Sequence, residues 1–198
     1  MQEDDSKDLD LLNMAKDYLR DKYDKPGNIY VGMVHRLDRP VGGVVVLAKT
    51  SKAAARLSES IRTGSIEKEY RAIVEGNLPF EGTLKDNLKK ETKTNLTKVV
   101  SEYDPEGKPS QLSYKVMAHK ENLSLVNIRL LTGRSHQIRV QFASRSNPIW
   151  GDARYNPGSK PGQQIALWAV RLSFPHPTTK EMMTFISEVP KTNPWNKF

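Results

Sequence analysis

The chain has 198 residues, with 31 Lys and Arg against 23 Asp and Glu, a formal net charge of +8, and no cysteine. The lack of cysteine excludes disulfides, thiolate chemistry and Cys-based zinc sites, and no apolar run approaches the ~18–20 residues of a membrane span. The basic excess points to a polyanionic partner, nucleic acid first, and a polar, acidic N-terminus with no apolar leader is read as that of a cytoplasmic protein.

In chain order, residues 1–8 read as a disordered acidic leader and 9–198 as one domain. From Asp8 the spacing of Leu12, Ala15 and Leu19 predicts a helix, stopped by Pro26-Gly27. Tyr30–Val34 reads as a strand, and the apolar run Gly43–Lys49 as a buried one. Ser51 is expected to cap a helix whose Ala54, Leu57 and Ile61 share a face, with Gly64 just past its end. Glu67–Glu75 alternates as a strand, with Tyr70, Ala72 and Val74 on one side.

Residues 77–110 are polar and predict short strands or a hairpin with mobile tips, the lysines of KKETKTNLTK forming a solvated face. Leu112–Met117 and Leu123–Leu130 predict an antiparallel pair turning at His119–Asn122. Ser135–Ser144 reads as a helix with a hydroxyl cap. One of its faces is His136, Arg139, Val140 and Ala143, and Ile138 and Phe142 make a second apolar pair. Pro157–Gly162 reads as a flexible loop, and Ile165–Phe174 and Met182–Ile186 as strands. Strands and a few helices without strict alternation favour an α+β fold.

The stretch HRLDRPVGG sets one acid, Asp38, between Arg36 and Arg39, before a turn-forming Pro and two Gly. A carboxylate so placed can sit on a cleft floor, kept ionised by a cation. By itself the stretch favours the plainer reading, a surface Asp paired with a neighbouring arginine. Likewise, Tyr70 alone reads as a core residue, and Arg139 as an exposed helix residue or, by the face it shares with His136, Val140 and Ala143, as one close to packed structure. The four histidines, His35, His119, His136 and His176, lack the spacing of a ligand pair, so no metal is expected.

The stretch HRLDRPVGGVVVLAKT resembles the core motif of the RluA-type pseudouridine synthases, which isomerise uridine in structured RNA. Downstream, in that family's order, KEYRAIVEG (68–76) resembles its second element and LLTGRSHQIRVQFASRSNPIWGDARY (130–155) its third, with HP…MMTF (176–185) as a closing strand. The resemblance covers roughly residues 30–190 and implies a mixed, largely antiparallel central sheet with flanking helices and a central active-site cleft. It implies a catalytic domain that isomerises uridines in rRNA or tRNA, as a monomer, without cofactor.

The resemblance also implies roles. Asp38 corresponds to the catalytic aspartate that attacks or deprotonates the ribose. Tyr70 corresponds to the tyrosine that packs on the target base and is implicated in removing the C5 proton. Arg139 corresponds to the arginine paired with the catalytic carboxylate, and Arg36 to the one that fills the stack where the uridine has left. His35, Arg39, Arg134, His136 and Ile138, in the same motifs, are expected to contact RNA.

The chain departs from the pattern in three places. Val41-Gly42-Gly43 lacks a hydroxyl residue common after the aspartate, and Leu167-Trp168-Ala169 stands where the family often has L-H-A. The family's usual N-terminal strands and an S4-like RNA-binding module are not recognised. Two rival readings are a catalytically silent RNA-binding protein and a hydrolase of nucleosides or glycosides. The hydrolase would need a second carboxylate, for which Asp152 is the one candidate.

Overall fold

A computed structural model describes residues 11–24, 26–160 and 162–198. The expected leader, the helix start at Asp8 and Pro161 of the predicted loop lie outside the described residues. The fold is α+β. Its elements begin with α1 (Leu11–Tyr23), β1 (Gly32–Met33), β2 (Gly42–Gly43), β3 (Leu47–Ala48) and α2 (Ser51–Arg62). Next come β4 (Glu67–Glu75), β5 (Glu81–Glu91), β6 (Leu96–Val100), β7 (Lys108–Lys120) and β8 (Leu123–Leu130). The chain closes with α3 (Gln137–Ala143), β9 (Leu167–Pro175) and β10 (Met182–Ile186). No described helix is long and apolar enough to cross a membrane.

The chain divides into two compact units. The first takes the described residues up to 39, then 45–66 and 173–184. Here β1 and β3 form a two-stranded antiparallel sheet, with Gly32 opposite Ala48 and Met33 opposite Leu47. On α1 the half-buried stripe is Leu11, Leu12, Ala15 and Leu19, the helical spacing read from sequence. Thr50, rather than Ser51, caps α2: its side chain accepts from the Ala53 N–H at 3.1 Å. At the other end Gly64, at φ +73°, completes a Schellman motif, with Gly64 N–H bonding Ile61 O and Ser65 N–H bonding Ser60 O.

The second unit takes 40–44, 67–172 and 185–198. Its sheet runs β9-β4-β8-β7-β5-β6, with β2 added in parallel to β9. Its pairs β4–β8, β8–β7, β7–β5 and β5–β6 are antiparallel. β4 begins and ends as predicted. In mid-strand both its faces are covered, so Ala72, Ile73 and Val74 are all fully buried. With Leu112, Val126, Ile128, Phe142, Ile149 and Leu172 they make a core in which each large apolar side chain contributes about 1.5–3 kcal/mol.

The polar segment 77–110 forms a longer hairpin than the short strands expected, β5–β6. It is held by buried Leu84 and Leu88 on one face while the lysines stay at the surface. β7 and β8 form the expected pair, extended at both ends of β7, with an irregularity between Val116 and Ala118 that leaves Met117 exposed.

Candidate active site

The buried strand expected at Gly43–Lys49 is two separate two-residue pieces, β2 and β3, in different sheets. The physical reason is the glycine pair. A Cβ on Gly42 would lie 2.1 Å from Cζ3 of Trp168, and one on Gly43 2.2 Å from the carbonyl O of Ala169. Gly43 also sits at φ +116°, which glycine adopts readily. Two bare backbones therefore pack directly on β9, Gly42 opposite Trp168 and Gly43 opposite Ala169. The Val44 N–H donates to Ala169 O at 2.9 Å, and the Gln164 amide donates to Pro40 O. Trp168, where the resemblance has histidine, covers Gly42 with its ring and donates from Nε1 to Ser187 Oγ at 3.0 Å.

In the first unit, His35–Arg39 follow β1 without regular structure. Val46 N–H donates to His35 Nε2 at 3.1 Å, so that ring nitrogen fixes the segment to the chain before β3. Leu37 is buried, Asp38 half-buried, and Arg36 and Arg39 are exposed. A half-buried carboxylate flanked by two solvent-facing guanidiniums suits a group that meets a polyanion.

In the second unit, Tyr70 lies on β4 opposite Ile128 and is buried. Alternation sends Glu69 to the other face, where it accepts from Arg171 at 2.8 Å and Asn127 at 3.3 Å. The loop after β8 carries Arg134, exposed, its Nε donating to Pro109 O at 3.0 Å. The Gln137 side chain fixes that loop. Its oxygen accepts from Thr132 Oγ1 at 2.8 Å and Arg134 N–H at 3.0 Å, and its amide donates to Gln111 O at 3.1 Å.

The helix read over 135–144 is the shorter α3. The hydroxyl cap expected at its start is not made there: His136, at φ 51° in the left-handed region, takes the cap position without a side-chain capping bond. Both groups read from the spacing pack inward, and burial goes further, because every residue from Gln137 to Phe142 is buried. Ile138 is 4% exposed, and Phe142 packs on Tyr114 with ring centroids 5.5 Å apart.

A buried helix can carry Arg139 because Asp152 neutralises it. Arg139 Nε and Nη2 donate to the two carboxylate oxygens at 2.8 and 2.6 Å, with side chains 3% and 0% exposed. This bidentate geometry is the strongest form of the pair. The same Asp152 oxygen accepts from the N–H of Arg154 at 3.0 Å and of Tyr155 at 3.3 Å, so the turn after Gly151 is built around it.

Tyr155 closes the network. Its ring stands 5.2 Å from the Arg139 guanidinium, a cation–π distance, and its oxygen accepts from Thr97 N–H at 2.8 Å. Burial pushes the Tyr155 phenol pKa up, and its hydroxyl shares a hydrogen bond with His136 Nδ1 at 2.8 Å. Sequence reading gave Arg139 a carboxylate partner but missed Asp152 in that part. With both oxygens taken up by Arg139 and no solvent contact, Asp152 is unsuited to the second-carboxylate role of a hydrolase.

The site residues named from sequence thus divide between the units. His35, Arg36, Asp38 and Arg39 belong to the first, and Tyr70, Arg134, His136, Ile138 and Arg139 to the second. Among the described residues no group of His, Asp or Glu is arranged to hold a metal ion.

Residues 3–144 match the family model described as RNA pseudouridylate synthase. The chain is 34% identical over 174 residues to ribosomal large subunit pseudouridine synthase D of Haemophilus influenzae, a match covering 80% of this chain and 52% of that protein. It is 38% identical over 160 residues to the uncharacterized RNA pseudouridine synthase YhcT of Bacillus subtilis, covering 79% and 51%. The chain spans about half the length of these curated relatives. Among solved structures, human RNA pseudouridylate synthase domain containing 4 is similar with TM-score 0.74 at 21% identity, over 91% of this chain and 78% of that one. Human RNA pseudouridylate synthase domain containing 1 gives 0.73 at 24%, over 88% and 73%. At these identities the likeness is one of fold.

Proposed function

The chain belongs to the RNA pseudouridylate synthase family, and from that premise we propose that it isomerises specific uridines of rRNA or tRNA to pseudouridine. It does so as a cytoplasmic monomer without metal or organic cofactor. The C1′–N1 bond breaks, the uracil turns, and C1′ joins C5; the C5 proton leaves and N1 gains one, so no redox partner is needed. The target base is first flipped from its stack, at a cost of a few kcal/mol, and the Arg36 guanidinium fills the gap by stacking.

As C1′–N1 opens, positive charge develops on the sugar, and the ionised Asp38 carboxylate stabilises it. Arg139 answers to the arginine that the family resemblance pairs with the catalytic carboxylate. Tyr70 supplies the ring against which the freed uracil turns without escaping, and takes part in removing the C5 proton. His35, Arg39, Arg134, His136 and Ile138 contact the RNA around the flipped nucleotide.

The observation that carries this reading is the family match over residues 3–144, a span that contains Asp38, Tyr70 and Arg139 together. The buried, bidentate Arg139–Asp152 pair supports it, since a guanidinium fixed at two nitrogens is pre-organised for a further carboxylate. Mapping pseudouridine across cellular RNA with and without the gene tests it. At least one position should lose its modification on deletion, and an unchanged map would overturn the proposal.

A further inference from the structure

Lys68 opens β4 two residues before Tyr70, on the same face of the strand and opposite Leu130 on β8. Its side chain is half-buried, and burial lowers its pKa from the ordinary lysine value. Among the described residues nothing accepts a hydrogen bond from its amine or pairs with its charge. The amine lies 3.3 Å from where a Cβ on Gly133 would stand. That loop is ordered by Thr132 Oγ1 on the Gln137 side chain at 2.8 Å and by Leu131 and Thr132 N–H on Gln111 O. A desolvated ammonium without a counter-charge disfavours folding wherever it is protonated, and such a group beside functional residues marks a ligand site.

We infer that Lys68 is a substrate-binding residue whose ammonium receives a phosphodiester oxygen of the bound RNA, beside the nucleotide that Tyr70 contacts, with Gly133 keeping the space open. The inference rests on the reading of the chain as an RNA-modifying enzyme. An ammonium calls for an anion, and the anions of an RNA substrate are its phosphodiesters.

The test measures binding of a fluorescent uridine-containing RNA hairpin across a salt series. It uses wild type, Lys68→Met, Lys68→Arg and, as a control at an exposed site, Lys191→Met. Lys68→Met should bind roughly tenfold more weakly, with the slope of log affinity against log salt shallower by about one. Its Tm should be equal or higher, because the desolvated charge is gone. Lys68→Arg should restore the slope, and Lys191→Met should match wild type.

Wild-type affinity and slope in Lys68→Met would overturn the inference, as would binding loss that merely follows a lowered Tm in both Lys68 variants. Should Lys68→Met fail to fold, Gly133→Ala carries the test: crowding the amine should weaken binding several-fold, and undisturbed binding would overturn it. A wild type that binds with these properties yet modifies no uridine sinks the proposed activity and leaves the Lys68 contact standing.

Discussion

Residues 35–44 and residues 132–156 both carry groups proposed for catalysis, and they are held by different means. The first segment is fixed in part through glycine backbone and in part through a histidine ring. Two glycines lie directly on β9, a ring nitrogen of His35 accepts from Val46 N–H, and Asp38 remains half-buried. The second is fixed through side chains, with Arg139, Asp152, Tyr155, His136 and Gln137 binding one another in the interior. A side-chain anchor gives one buried charge a set direction.

Four substitutions break or sharpen that contrast. Asp152→Ala should do most damage, because it strands the Arg139 charge in the core. A loss of roughly 3–5 kcal/mol is expected in urea unfolding, with activity falling alongside. A change below ~1 kcal/mol would show that the side-chain anchor is not needed. Gly42→Ala should follow, at about 1–3 kcal/mol, since its Cβ collides with the Trp168 ring. A double-mutant cycle with Trp168→Ala should return a clear coupling energy, whereas additive effects would place the glycine requirement elsewhere.

Tyr155→Phe removes the hydroxyl bonds to Thr97 and His136 but keeps the ring on Arg139. A loss of about 1–2 kcal/mol in thermal unfolding is expected, with most activity retained. The smallest effect belongs to exposed Arg39. Arg39→Gln should shift stability by no more than ~0.5 kcal/mol, while the salt slope of RNA binding falls by about one. A folding defect there would mean that the Arg39 side chain also holds the loop.

The same contrast explains what was legible. β4 and β10 begin and end as their residue patterns indicate, and the apolar stripe of α2 is visible in Ala54, Leu57 and Ile61, because these are local periodicities. The run Gly43–Lys49 misled because its conformation answers to β9, more than a hundred residues away, and to a positive φ that composition does not reveal. α3 is shorter than the helix read over 135–144, and Arg139, placed close to packed structure by its shared face, is buried against an acid thirteen residues later that spacing does not single out.

One signal for that acid was present. Asp152 is the lone acid between Glu121 and Glu181, in a stretch holding Arg129, Arg134, Arg139, Arg145, Arg154 and Arg171. The residues Asp38, Tyr70 and Arg139 were nameable from the three motifs alone. What the motifs did not reveal was how neighbouring parts are held: Gln137 under the Arg134 loop, Tyr155 over the Arg139 guanidinium, and Trp168 over Gly42.

The account turns on the carboxylate at position 38, and the direct measurement is pseudouridine formed in one RNA by wild type and by Asp38→Ala under the same conditions. The account predicts modified RNA from wild type and none from the variant, with the two proteins unfolding at closely similar temperatures. Comparable product from both, or free uracil in place of modified RNA, would contradict it.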